Sequence, residues 1–193
     1  MKKTGLFFGS FNPVHVGHLI LANYMAEFTD LDEVWFVVSP HNPLKERKSL
    51  LADYHRLYIC RMAVEHQVNI RVTDFEFKMP RPSYTIDTLT WLSEKFPERD
   101  FVLICGTDIF RSLKKWKNYE QILNDYSIYA YPRKGSGLGE FEDHSSVVLH
   151  SSAPQMEISS SFIRKGIRSG KNMSYWMPKN IYDYIIEMHF YEK

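Results

Sequence analysis

The sequence predicts an α/β chain: a doubly wound, mostly parallel sheet flanked by helices, with a small helical portion near residue 193. Two observations carry this. Short apolar runs of strand character alternate with stretches of helical periodicity along nearly the whole chain. Glycine- and proline-marked turns follow the apolar runs, where the ligand crevice of such a sheet opens.

The elements follow in order. "TGLFFGS" (4–10) reads as a buried strand, and "VGHLILANYMAEF" (16–28) places Leu19, Ala22, Met25 and Ala26 at helical spacing. "EVWFVVS" (33–39) is a second buried strand. After the proline-punctuated "PHNPLKERKS", residues 51–66 carry Leu57, Cys60, Met62 and Val64 in a helical pattern. "NIRVTDFEF" (69–77) predicts one or two strands, and "YTIDTLTWLSEKF" (84–96) a helix with Ile86, Leu89 and Leu92 on one face. "DFVLICG" (100–106) is the strongest central-strand signal. Beyond it come a strand at 127–132, a glycine-containing loop, a short strand at 147–150, and helices at 159–167 and about 180–188.

With 193 residues and 44% hydrophobic content, the chain can bury a full core, and one domain spanning 1–193 is expected. A net charge of +1 leaves no global field to recruit nucleic acid or an anionic membrane, so an anionic ligand must be held locally. Cys60 and Cys105 belong to no CxxC pair and read as core thiols. The first apolar run breaks too early for a signal peptide, and no stretch approaches the ~18 apolar residues of a membrane span. A cytoplasmic protein is expected.

The chemistry gathers after strands. Gly9 ends the first strand, Ser10 to Pro13 turn, and helix begins near Val16, so His15 lies at the helix start and His18 one turn in. Residues three apart share a helix face, which aims both imidazoles at the space above the strand ends. Free N–H groups and the positive dipole end point there too, a combination that attracts phosphate. The pair could instead ligate a metal, but no third Asp, Glu, His or Cys stands nearby, and no protein-held metal is expected. A second stretch, "ISSSFIRKGI" (158–167), places serines at a helix start with Arg164 about one turn inside, a second phosphate cradle.

"GSFNPVHVGH" resembles the GxFxPxHxGH signature of the nucleotidyltransferase superfamily, and "ISSSFIR" its ISSTxIR signature. With "NPLK", "PSYTIDTL", "ICGTDIFRSLKKW" and "YPRKG" between them, the chain resembles the bacterial nicotinate-nucleotide adenylyltransferases over nearly its whole length. The resemblance implies a Rossmann-like fold and transfer of AMP from ATP to nicotinate mononucleotide, giving nicotinic acid adenine dinucleotide and pyrophosphate in NAD biosynthesis. It implies His18 as the α-phosphate contact in the transition state, with His15 on the ATP phosphates, each a donor that protonation can make cationic. Ser159, Ser160 and Arg164 would hold the leaving phosphates, Gly9, Ser10 and Phe11 the floor, and Gly106 and Asp108 the ribose. Lys45 and Arg133 are candidates for the mononucleotide phosphate. Mg²⁺ would arrive with ATP, held by phosphate and water.

For the pyridine base, unpartnered N–H groups around Tyr84 and Thr85 suit a carboxylate, Trp116 can stack on the ring, and neighbouring lysines add positive potential. Ser161 replaces the family's usual Thr and is expected to keep the helix cap. His189 stands where such chains often carry Gly, with no expected bearing on the chemistry. Alternatives are a sibling enzyme acting on nicotinamide mononucleotide or another phosphate acceptor, and an inactive nucleotide-binding regulator. Self-association is left open.

Overall fold

The computed structural model of the protein describes residues 1–40 and 50–192. Among these residues six strands form one sheet: β1 (Lys2–Gly9), β2 (Glu33–Val38), β3 (Ile70–Thr73), β4 (Arg99–Gly106), β5 (Ser127–Tyr131) and β6 (Val147–Leu149). Their order is β3-β2-β1-β4-β5-β6, and every pairing is parallel. The order reverses between β1 and β4, and crossovers lead away on either side, leaving a crevice at their carboxyl ends.

Among the described residues six α-helices cover the two faces: α1 (Val16–Phe28), α2 (Asp53–Ala63), α3 (Thr85–Lys95), α4 (Tyr119–Asp125), α5 (Ser160–Arg168) and α6 (Lys179–Glu187). Alternation along the strands divides the core. Phe7, Val34 and Phe36 face Leu21 and Met25 of α1, Ile59 and Cys60 of α2, Ile163 of α5, and Ile181 and Ile185 of α6. Leu6, Trp35 and Leu103 face Ile86, Leu89 and Leu92 of α3 and Ile122 of α4. Both cysteine thiols are buried, and burial pushes Cys105 up to about 12, which leaves it inert. No helix among the described residues is long and apolar enough to cross a membrane.

Three local features add to the sequence reading. The 69–77 stretch gives a single strand, β3; Phe75–Lys78 instead forms a 3₁₀ turn that buries Phe75 and Glu76. Helix α4 was not anticipated; at seven residues it is too short for periodicity to mark. At His189 the backbone is left-handed (φ 53°), a conformation glycine adopts without the cost a side chain adds. The N–H groups of His189 and Phe190 return to the Ile186 and Ile185 carbonyls, closing α6 as glycine-terminated helices close.

Candidate active site

A cavity of about 650 Å³ opens at the carboxyl ends of β1, β4 and β5. Gly9, Ser10, Phe11, His15, His18, Gly106, Asp108, Trp116, Arg133, Ser159, Ser160 and Arg164 all line it. Twelve of the sequence-predicted residues, from widely separated stretches, therefore share one space. Tyr84 and Thr85 do not line it, and Lys45 lies outside the described residues.

The turn after β1 explains its own sequence. Phe11 has φ 43°, and its ring folds back over Gly9, where a Cβ would come within 2.9 Å of it. His15 is the N-cap of α1 and His18 its third residue, and their rings stack with centroids 3.7 Å apart. The His15 backbone N–H donates to His18 Nδ1 at 3.3 Å, so neutral His18 carries its proton on Nε2. Phe11 meets the His18 ring edge-on at 5.0 Å and restricts its rotation.

His15 is 4% exposed, and burial, with the charge of Arg133 adding to it, lowers its pKa to about 4. It is therefore neutral near pH 7, contrary to the expectation of a cationic donor. Its neighbour Gly17 makes room for it: a Cβ there would sit 3.1 Å from His15 Nδ1.

Helix α5 supplies the facing wall. Ser159 caps it, its hydroxyl accepting the Phe162 N–H at 3.2 Å. The cap expected to survive at Ser161 thus belongs to Ser159; the Ser161 hydroxyl instead accepts from Arg164 Nη2 at 3.2 Å. Ser160 Oγ donates to the Pro13 carbonyl at 2.8 Å and Arg164 Nη1 to the Asn12 carbonyl at 2.8 Å. The N-termini of α1 and α5 are locked together at the cavity, with N–H dipoles, serine hydroxyls and a guanidinium on its wall.

Arg133 reaches into the same cavity, its Nε 3.8 Å from Asp108 Oδ1 and its Nη1 donating to the Met156 carbonyl at 3.1 Å. A Cβ on Gly106 would lie 2.9 Å from Arg133 Cγ, so the glycine is what lets that side chain pass.

The cytidylyltransferase-like family model matches residues 6–166. A relative from Flavobacterium psychrophilum named "Probable nicotinate-nucleotide adenylyltransferase" is 48% identical over 193 residues, covering 99% of this chain and 100% of its own. One of the same name from Bacteroides fragilis is 46% identical over 185 residues, covering 96% and 92%. The chain belongs to the nicotinate-nucleotide adenylyltransferases of the cytidylyltransferase-like family. Solved structures of Plasmodium falciparum nicotinic acid mononucleotide adenylyltransferase share its fold. The one complexed with NaAD has TM-score 0.82 at 18% identity, and the one complexed with APC 0.80 at 19%; each covers 100% of this chain and 98% of its own.

In this adenylyltransferase chain the segment expected to hold the base does not line the cavity and is linked to it through Lys117, the neighbour of the cavity residue Trp116. Tyr84 is the N-cap of α3 and Thr85 its first residue, with no side chain capping the N–H groups there. Lys117 bridges from Trp116 to this helix: its ammonium lies 4.9 Å over the Tyr84 ring and pairs with Asp87 at 2.8 Å. Lys114 is likewise paired, with Glu140 at 2.5 Å. Pairing offsets much of the charge of Lys114 and Lys117, while Lys115, exposed beside Trp116, has no ion pair among the described residues, so it and the open helix end remain to favour a carboxylate. Beneath it Glu76, 3% exposed, accepts the Thr88 hydroxyl at 2.8 Å, and burial raises its pKa.

Sequence reasoning missed Arg56. It is fully buried and donates to the carbonyls of Leu51 (3.1 Å), Ser10 (2.6 Å), Ser39 (2.7 Å) and Pro40 (2.6 Å), and to Asp53 Oδ1 (2.6 Å). It thereby joins the turn after β1 to the chain leaving β2. Asp53 continues the chain to Arg81 at 2.9 Å, just before the Tyr84 segment. The available signal was an arginine four residues before Cys60, on the apolar stripe of α2.

Proposed function

We propose that this chain transfers the adenylyl group of ATP to nicotinate mononucleotide, forming nicotinic acid adenine dinucleotide and pyrophosphate in NAD biosynthesis. The observation that carries it is the meeting of two helix N-termini, with His18 and Arg164, on one cavity at the switch point of a chain 48% identical to a relative of that name. The mononucleotide 5′-phosphate oxygen attacks the α-phosphorus of ATP, and the bond from that phosphorus to the β-phosphate oxygen breaks, leaving pyrophosphate. No protein nucleophile is needed, so the chain's work is alignment and charge stabilisation.

His18, with Nδ1 taken by the His15 N–H, presents Nε2–H to the α-phosphate in fixed orientation. Serines and N–H groups at the start of α5, with Arg164, take the β- and γ-phosphates. Gly106 and Asp108 lie along the nucleotide ribose, and Arg133 faces the mononucleotide phosphate. Asp108, paired with Arg133, is the one carboxylate among the described residues lining the cavity, so the donor set there suits a Mg²⁺ that enters as part of MgATP. Bound with ATP, Mg²⁺ would supply charge neutralisation for the phosphates.

Trp116 stacks on the pyridine ring, and the open N–H groups at Tyr84 and Thr85 receive its carboxylate. Losing a charge-assisted partner costs a few kcal/mol, so kcat/KM should favour nicotinate over nicotinamide mononucleotide by roughly 10²–10³. A coupled pyrophosphate assay with MgATP and four acceptors (nicotinate, nicotinamide and flavin mononucleotides, and a pantetheine phosphate) tests both claims. No turnover with any acceptor would reject the enzyme reading; equal values for the two pyridine nucleotides would reject the helix-end carboxylate site.

A further inference from the structure

We propose that Tyr191 is a positioning residue for this reaction: its hydroxyl, arriving from beyond α6, holds the Asn12 side chain and through it the phosphate-binding turn after β1. The proposal rests on the adenylyl-transfer reading above. The contact is buried, with Tyr191 Oη donating to Asn12 Oδ1 at 2.8 Å. Asn12, 3% exposed, is the hub of the turn. Its side-chain oxygen also accepts the Leu51 N–H at 3.2 Å, and its carbonyl takes Arg164 Nη1 at 2.8 Å. One residue thus gathers the approach to α2, helix α5 and the segment after α6, with its neighbour Phe11 in a left-handed conformation.

The route by which Tyr191 arrives is itself costly. His189 (φ 53°) and Tyr191 (φ 67°) both occupy left-handed backbone that side chains disfavour. What they achieve is delivery of a ring that is 9% exposed into the core beside Phe190. Burial drives the phenol well above its ordinary pKa, so it remains a proton donor toward Asn12 at any working pH. Reacting atoms in a group transfer tolerate little misplacement, and a turn free to shift by a fraction of an ångström would no longer present its N–H groups and His18 together. His189, expected to be remote from the chemistry, is therefore part of the path that brings Tyr191 to it.

Tyr191→Phe removes the hydroxyl and keeps the ring, and is tested alone and in an Asn12→Ala background. The readouts are amide exchange of residues 6–18 without substrates, kcat and KM for each substrate, and Tm. Expected for Tyr191→Phe alone are exchange and kcat changed by about tenfold in opposite directions, with Tm within a few degrees. In the Asn12→Ala background the same substitution should change neither quantity further, because the partner is already gone. Unchanged exchange overturns the proposal, as does unchanged kcat, or an equal fall in both backgrounds. A fall in kcat that merely tracks unfolding also overturns it. Should the unsubstituted protein turn over no acceptor, the functional reading fails separately, and the exchange comparison with a MgATP titration still decides whether Tyr191 holds the turn.

Discussion

Replacing Arg56 by alanine strips donors from four backbone carbonyls and one carboxylate at once. A buried acceptor left without its donor costs about 1–3 kcal/mol, while Asp53, partly exposed, keeps Arg81 as its partner and adds little. The carbonyls of Ser10, Ser39, Pro40 and Leu51 share one guanidinium, so their losses overlap, and water entering the vacated space restores part of them. A net destabilisation of about 3–5 kcal/mol is expected. For a chain of this size each kcal/mol lowers Tm by about 2–4 °C, so the melt should fall by roughly 6–20 °C. Arg56→Lys keeps a charge but offers three donors without the planar fork, and should fall between the two. Calorimetric or circular-dichroism melts read the stability, and pyrophosphate release well below the mutant's Tm reads the activity. Because Ser10 lies in the turn that leads to His15 and His18, kcat should fall even where the variant is fully folded. A Tm within about 3 °C of the unsubstituted protein, together with unchanged kcat, would refute this account of Arg56.

His18→Ala should reduce kcat by roughly 10²–10³ with ATP affinity largely retained, since the lost donor matters most at the transition state; retention of more than about a tenth of kcat would remove His18 from that role. Arg164→Ala should weaken ATP binding more than mononucleotide binding, measured by separate titrations; an equal loss for both would make its bond to the Asn12 carbonyl its main work. Acid should destabilise the protein through His15. The unfolded imidazole protonates near pH 6.5 and the folded one only near about 4, so this contribution is complete above pH 6.5 and is lost as pH falls between those values. The loss amounts to at most about 3 kcal/mol. Melts of the unsubstituted protein and His15→Gln across pH 7 to 4.5 should therefore converge toward acid; parallel curves would contradict a buried neutral His15.

Most of the architecture was legible because its determinants are local. The periodicity of residues 16–28 matches the extent of α1, and the apolar runs at β1, β2 and β4 announce strands buried on both faces. His15 and His18 were legible for the same reason, since a cap and a residue one turn on are related by helix geometry alone. Their protonation was not, because burial and the charge of Arg133 act on His15 from across the fold. Nor was the pairing of Lys117 with Asp87, 30 residues away, which cancels a charge the sequence leaves exposed. Arg56 and Tyr191 read as an ordinary helix residue and a residue past the last helix; what they do depends on Ser10, 46 residues from one, and Asn12, 179 from the other. Local sequence determined the elements and which of its residues gather at the crevice. Long-range hydrogen bonds between elements, which exist only once the sheet has brought them together, decided what holds that place in shape.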